Sequence, residues 1–256
     1  MDAAILVRNV NFSYEGFSLR DVSLTLAQGE QKALVGLNGS GKTTLMRLIL
    51  GLLAPESGEI RVLGLPVTED NLWRIRQQTG YLFQNPADQL FAPTVWEDVA
   101  FGPRNQGLDE DEIQARVKWA LDLIGMTEYR SHPVNELSHG QAKRVALAGL
   151  IAMRPKILLL DEPFTGLDFP MVKSMVEIVD ELRDGGVSVM FTTHNRFFVE
   201  NWADSVVVMH EGRVVFDGNV DEALNDDRII TLMGDWDCLR KGVRKIECFS
   251  ETRRYG

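Results

Sequence analysis

The sequence predicts an α/β fold: a core of parallel strands and helices around a glycine-rich phosphate loop, with an N-terminal antiparallel β subdomain and an inserted α-helical subdomain. Three observations predict it. Apolar and polar residues alternate through the first thirty positions, as in half-buried strands. Lys32-Ala33-Leu34-Val35 then runs into Gly36-Leu37-Asn38-Gly39-Ser40-Gly41-Lys42-Thr43-Thr44 and a helically spaced apolar stretch. Two continuous apolar runs, Ile157-Leu158-Leu159-Leu160 and Val187-Ser188-Val189-Met190-Phe191, flank a further helical segment, the pattern of strands buried on both faces of a parallel sheet.

Each element follows in order. Ile5, Leu6, Val7, Val10 and Phe12, then Leu19, Val22, Leu24 and Leu26, form an antiparallel hairpin or small sheet. After the glycine loop, Leu45, Leu48, Ile49 and Leu52 mark one helix face that ends at Pro55. Helical spacing governs Val95 to Val99, Ile113 to Ile124 and Gln141 to Ile151, and Asp109-Glu110-Asp111-Glu112 stands where carboxylates complement a helix N-terminus. We assign roughly 86–154 to the inserted helical subdomain. A helix from Pro170 to Arg183 joins the two buried strands, the expected β-α-β crossover. Val206-Val207-Val208-Met209, the turn Glu211-Gly212 and Arg213-Val214-Val215-Phe216 read as a closing hairpin. Residues 1–233 are expected to be one nucleotide-binding domain, with 234–256 a C-terminal tail.

Composition excludes some functions and names none. A formal charge of −10 over 256 residues argues against a nucleic-acid partner, because neutralising phosphates needs a basic surface. The tail has the opposite balance, six basic residues against four acidic, and reads as solvated, or as a contact for a partner or an anionic membrane. No apolar run is long enough to span a bilayer. Cys238 and Cys248 have no metal-ligand spacing and read as free thiols of a reducing compartment.

The chemistry begins at the glycine loop, which matches G-x-x-x-x-G-K-[ST] between a strand and a helix. Closely spaced glycines let backbone N–H groups converge on phosphate oxygens. Lys42 adds a point charge for the β- and γ-phosphates, and Thr43 is placed to ligand Mg²⁺. Gly36, Asn38, Gly39, Ser40, Gly41 and Thr44 complete the nucleotide-binding loop. The apolar strand feeding Asp161-Glu162 delivers two carboxylates to the carboxyl edge of a sheet, where ligands of open α/β folds bind. Asp161 is read as the Mg²⁺ holder and Glu162 as the residue that polarises an attacking water.

With Leu137-Ser138-His139-Gly140-Gln141 followed by Ala142-Lys143-Arg144-Val145, the sequence resembles the ATP-binding-cassette (ABC) family of P-loop NTPases. The resemblance runs from about residue 4 to 225. One departure stands in it: the family's usual third signature residue is glycine, and here it is His139. Ser138, Gly140 and Gln141 remain, and Ser138 starts a helix, so its hydroxyl, the Gly140 N–H and the helix dipole suit an anion. The resemblance implies that this anion is the γ-phosphate of ATP held by the second ATPase subunit of a dimer.

It also implies roles for Gln84, sensing Mg²⁺ and the γ-phosphate; Asp168, in a loop that crosses the dimer interface; His194, on the γ-phosphate; and Tyr14, stacked on adenine. Gln84-Asn85-Pro86-Ala87-Asp88-Gln89-Leu90-Phe91 and Gln141 to Gly149 resemble the ATPases of energy-coupling-factor and cobalt/nickel importers. The implied task is ATP hydrolysis that energises a membrane importer for a transition metal ion, cobalt or nickel, or for a vitamin such as biotin. The implied setting is the cytoplasmic face of the membrane, against integral membrane transport subunits, with Asn85, Asp88 and Gln89 as docking candidates. The rival is a soluble ABC ATPase without a membrane partner.

Overall fold

The computed structural model describes residues 3–14 and 16–233; the expected tail and both cysteines lie outside them. Strands β1 (Ala3–Tyr14) and β2 (Phe17–Ala27) pair antiparallel. Strand β3 (Gln31–Val35) leads through the glycine loop into α1 (Lys42–Ile49). The chain then returns to the first sheet as β4 (Ser57–Val62) and β5 (Leu65–Pro66), giving the antiparallel order β2-β1-β4-β5. Of the expected hairpin or small sheet, the structure has the sheet: four strands, of which β1 and β2 are half. The stretches Ser57-Gly58-Glu59-Ile60 and Leu65-Pro66 are too short and too polar to announce the other half.

Helix α1 stops at Ile49, short of the expected Pro55, because Gly51 takes a left-handed conformation, with φ of 62°. A Cβ there would lie 2.2 Å from Leu72 Cδ2, so the reversal also seats the next helix, α2 (Glu69–Gln78). Strand β6 (Thr79–Leu82) follows. Three longer helices come next: α3 (Val95–Asn105), α4 (Glu110–Leu123) and α5 (His139–Ala152). Asp109 caps α4 by accepting from Glu112 N at 2.9 Å, with Glu110, Asp111 and Glu112 in the first turn, the dipole arrangement read from the sequence.

The rest of the core alternates β7 (Ile157–Leu160), α6 (Phe169–Asp184), β8 (Ser188–Thr192), α7 (Arg196–Trp202), β9 (Ser205–His210) and β10 (Arg213–Asn219), closing with α8 (Val220–Leu224) and α9 (Asp227–Met233). The second sheet has the order β10-β9-β3-β8-β7-β6, parallel except for the β9/β10 hairpin. Strands β3, β6, β7, β8 and β9 bury both faces, and alternate residues serve different layers, while β10 at the edge is partly exposed. Val35, Leu158, Leu160, Val189, Phe191, Val206 and Val208 pack with the helices α3 to α6. Leu34, Ile157, Leu159, Met190, Val207 and Met209 pack with α1 and the antiparallel sheet.

Sheet order decides where chemistry can occur. The adjacent parallel strands β3, β8, β7 and β6 release the chain, at their carboxyl ends, into the glycine loop, Thr193-His194, Asp161-Glu162 and Phe83-Gln84. Four functional segments distant in sequence thus converge on one edge.

Candidate nucleotide site

Tyr14, Asn38, Gly39, Gly41, Lys42, Thr43, Thr44, Gln84, Asp161 and Glu162 line a single cleft of about 380 Å³ at this edge. Gly41 has φ of 108°, and a Cβ on it would lie 2.6 Å from Leu19 Cδ2 and 2.8 Å from Phe17 Cζ. Only glycine therefore lets the loop enter α1 against the β1/β2 hairpin. Gly41 gives α1 no side-chain cap, and no acidic residue stands in the first turn. The free N–H groups of the helix start and its positive dipole end thus remain available to an anion.

Lys42 is buried, and its Nζ donates to the carbonyls of Gly36 at 2.8 Å and Leu37 at 3.3 Å. Burial pushes its pKa down, while the charges of Glu162 and Asp161 pull it up. An ammonium held on carbonyls inside its own loop is preorganised for a phosphate oxygen.

Opposite the loop, Asp161 is 3% exposed and receives three hydroxyls: Thr43 at 2.8 Å and Tyr81 at 3.2 Å on Oδ2, and Thr192 at 2.8 Å on Oδ1. The Thr192 hydroxyl also accepts from Glu162 N at 2.7 Å, tying the ends of β7 and β8 together. Burial and the Asp161 charge push the Tyr81 phenol up, so it stays a hydrogen-bond donor. The sequence reading did not single out Tyr81 or Thr192. Each is a polar tip on an otherwise buried strand, which is the signal that could have found it.

Glu162 has a left-handed backbone, φ 48°, unusual outside glycine. Its Oε1 lies 2.6 Å from His194 Nε2, and Thr165 Oγ1 donates to Oε2 at 2.8 Å. The His194 hydrogen bond holds its carboxyl below the usual range, against an upward push from burial. The site therefore presents an ionised, oriented carboxylate beside a second one that a divalent ion could share with Thr43.

Tyr14 is 52% exposed and stands beside the loop, its hydroxyl 3.3 Å from Thr44 Oγ1 and its ring 5.4 Å from that of Phe17. An exposed aromatic face there suits a planar base.

The remaining expected residues are not in this cleft. Ser138 caps α5 in a capping box: Gln141 N donates to Ser138 Oγ at 3.4 Å and Ser138 N to Gln141 Oε1 at 2.9 Å. Gly140 packs so closely on α6 that a Cβ would lie 2.2 Å from Met171 Sδ. Asp168 caps α6 by accepting from Met171 N at 3.1 Å. His139 is the first residue of α5 and is not among the positive-φ residues, so the departure from glycine leaves the helix start intact. Gln89 accepts from Phe83 N at 3.1 Å and donates to Ala146 O at 3.3 Å. Its amide braces the loop internally.

A sheet edge that joins an uncapped helix start and a buried ammonium to paired carboxylates is built for nucleoside triphosphate hydrolysis. The comparisons narrow that class. The ABC transporter family profile matches residues 19–165. The energy-coupling factor transporter ATP-binding protein EcfA of Methanothermobacter thermautotrophicus is 41% identical over 230 residues, covering 88% of this chain and 74% of that protein. The EcfA of Methanoculleus marisnigri is 43% identical over 227 residues, covering 88% and 82%. The structure of CbiO1 from Clostridium perfringens, described as part of the ABC transporter complex CbiONQ, superposes with a TM-score of 0.79 at 37% identity over 90% of this chain and 94% of that one. The chain belongs to the ATP-binding subunits of ABC transporters, and it is an ATPase of that family.

Proposed function

We propose that this subunit hydrolyses MgATP to drive an importer of the energy-coupling-factor type. The observation that carries the hydrolytic assignment is the Glu162 carboxylate, held ionised by His194 at 2.6 Å and set beside Asp161. Lys42 and the α1 N-terminus would hold the phosphates, Thr43, Asp161 and Gln84 the Mg²⁺, and Tyr14 the adenine. Mg²⁺ supplies charge neutralisation on the phosphate oxygens when bound. Glu162 orients and deprotonates water, and His194 donates toward the transferring phosphoryl group.

Ser138, Gly140, Gln141 and Asp168 lie outside the cleft of their own chain, which supports a site completed by a second ATPase subunit. Ser138 and the start of α5 would then face the phosphate across the interface. Mixing Glu162→Gln chains with Ser138→Arg chains tests this directly. Each alone should be inactive, and mixed dimers, in which one composite site stays intact, should recover a measurable fraction of the wild-type rate. No recovery would rule out the shared site.

The relatives named above support an importer. Among the described residues no helix is long and apolar enough to cross a membrane, so membrane subunits would supply the pathway and this chain would sit peripherally at the cytoplasmic face. Next to the Gln84 segment, Phe91 is 64% exposed and meets Phe101 edge-on at 4.7 Å. Asp98 fixes the turn by accepting from the N–H groups of Phe91 and Ala92 at 2.9 Å each. With Asn85 and Asp88 this patch would receive the membrane subunit. The cargo would be cobalt, nickel or a vitamin such as biotin. Purification from membranes should bring down an integral membrane protein and lose it on Asn85→Ala, Asp88→Ala and Phe91→Ala together. Recovery of the chain without any membrane partner would favour a soluble ABC ATPase.

A further inference from the structure

Lys143 lies in α5, on the face that also carries Gly140, Ala146 and Leu147, and it is 0% exposed. Its side chain crosses from the start of that helix to the loop after β7, where Nζ donates to Glu162 O at 2.9 Å and to Thr165 O at 3.1 Å. These two residues bracket the turn that carries the Glu162 side chain, and Thr165 also donates its hydroxyl to that carboxylate.

The turn needs such a hold. Glu162 sits at φ 48°, and a non-glycine residue stays there only where its surroundings over-determine it. Thr192 fixes the Glu162 N–H from one side. On the other side the Glu162 carbonyl accepts from Thr165 N at a long 3.3 Å, so Lys143 is its closer donor. A buried ammonium is costly unless it is hydrogen-bonded, and the carbonyls of Glu162 and Thr165 supply that bonding. Burial pushes its pKa down to about 8, while the Glu162 and Asp161 charges oppose the shift, so it is cationic at neutral pH.

Resting on the hydrolytic role given to Glu162 above, we propose that Lys143 is a positioning residue for that step. It holds the left-handed turn that aims the Glu162 carboxylate, and it links the start of α5, with Ser138 and Gly140, to the hydrolytic loop of the same chain. A shift at the start of α5 is thereby transmitted to the water-orienting group.

The test uses the full chain, with Lys143→Met to remove the donors at similar length and Lys143→Gln to restore one. Steady-state ATP hydrolysis is measured beside equilibrium binding of a fluorescent ATP analogue. Lys143→Met should lose at least roughly tenfold in kcat with nucleotide affinity within about twofold of wild type, and Lys143→Gln should recover part of the loss. In a Glu162→Gln background, Lys143→Met should cause no further loss, because both changes act through one group. Unchanged kcat in Lys143→Met, or a proportional fall in rate and affinity, would overturn the inference. So would a further loss in the Glu162→Gln background. Should Lys143→Met not fold, Lys143→Gln decides alone: a lower kcat at unchanged affinity supports the role, and a wild-type kcat refutes it. Wild-type turnover by Glu162→Gln itself would instead remove Glu162 from the reaction, a result distinct from failure at Lys143.

Discussion

His194 Nε2 lies 2.6 Å from Glu162 Oε1 across the ends of β7 and β8. This contact is the main reason that the Glu162 carboxyl is held below its ordinary range, and burial alone would move it the other way. A depressed carboxylate contributes stability that is present above its unfolded pKa and is lost as pH falls through the lower folded value. The same shift keeps Glu162 ionised, and so able to orient water, into mildly acid solution. His194→Ala should lower kcat roughly 10²-fold and move the acid limb of the kcat profile to higher pH. A pH profile of both proteins checks it, and an unmoved acid limb would contradict the pairing.

Tyr81 donates to Asp161 Oδ2 from a buried position. Tyr81→Phe removes a hydrogen bond to a charged group and should cost about 1.5–3 kcal/mol of stability. It should also raise the Mg²⁺ concentration needed for half-maximal hydrolysis. Urea unfolding and a Mg²⁺ titration read the two effects separately.

Gly41 combines φ of 108° with two contacts that a Cβ would violate. Gly41→Ala should abolish nucleotide binding while the chain still folds, because the displaced atoms belong to the loop mouth and to the side chains of Leu19 and Phe17. Circular dichroism and equilibrium nucleotide binding on the variant distinguish this from general misfolding.

At His139 the prediction is the reverse. The residue starts α5 in ordinary helical backbone, so His139→Gly should cost about 1 kcal/mol or less and leave hydrolysis within about twofold of wild type. Steady-state assays of the variant are sufficient. A large gain or loss would show that the histidine ring itself acts at the phosphate.

Lys143 shifts stability with pH in the same direction as Glu162, but its charged form costs stability at neutral pH where the Glu162 carboxylate adds it. Its folded pKa of about 8 lies below the ordinary 10.5, so between those values the unfolded chain binds more protons, and the folded state gains stability as pH rises. Any stability advantage of Lys143→Met over wild type should therefore be largest near neutral pH and shrink toward pH 10.5. Urea midpoints at several pH values check it; a constant difference would contradict it.

Local pattern carried much of the fold. Apolar runs located β7, β8 and β9, and the glycine loop located the turn between β3 and α1, because burial on both faces and phosphate cradling each demand a restricted set of residues. Strands β4 and β5 were not legible, since their pairing with β1 depends on a return of the chain that no local period encodes. The end of α1 was misplaced because Leu52 continues the apolar spacing past Gly51, although Gly51 is the residue whose left-handed backbone ends the helix. Within the site, charged residues at strand ends were visible in sequence. Tyr81, Thr192 and Lys143 stand in sequence only as polar tips within apolar elements, and which carboxylate each holds in place depends on distances across the sheet edge that spacing along the chain does not contain.

The hydrolytic role of Glu162 is tested most directly by comparing Glu162→Gln with wild type for MgATP binding and for steady-state phosphate release. The variant should bind MgATP with affinity within about twofold of wild type and lose nearly all turnover. Phosphate release at the wild-type rate would contradict the account.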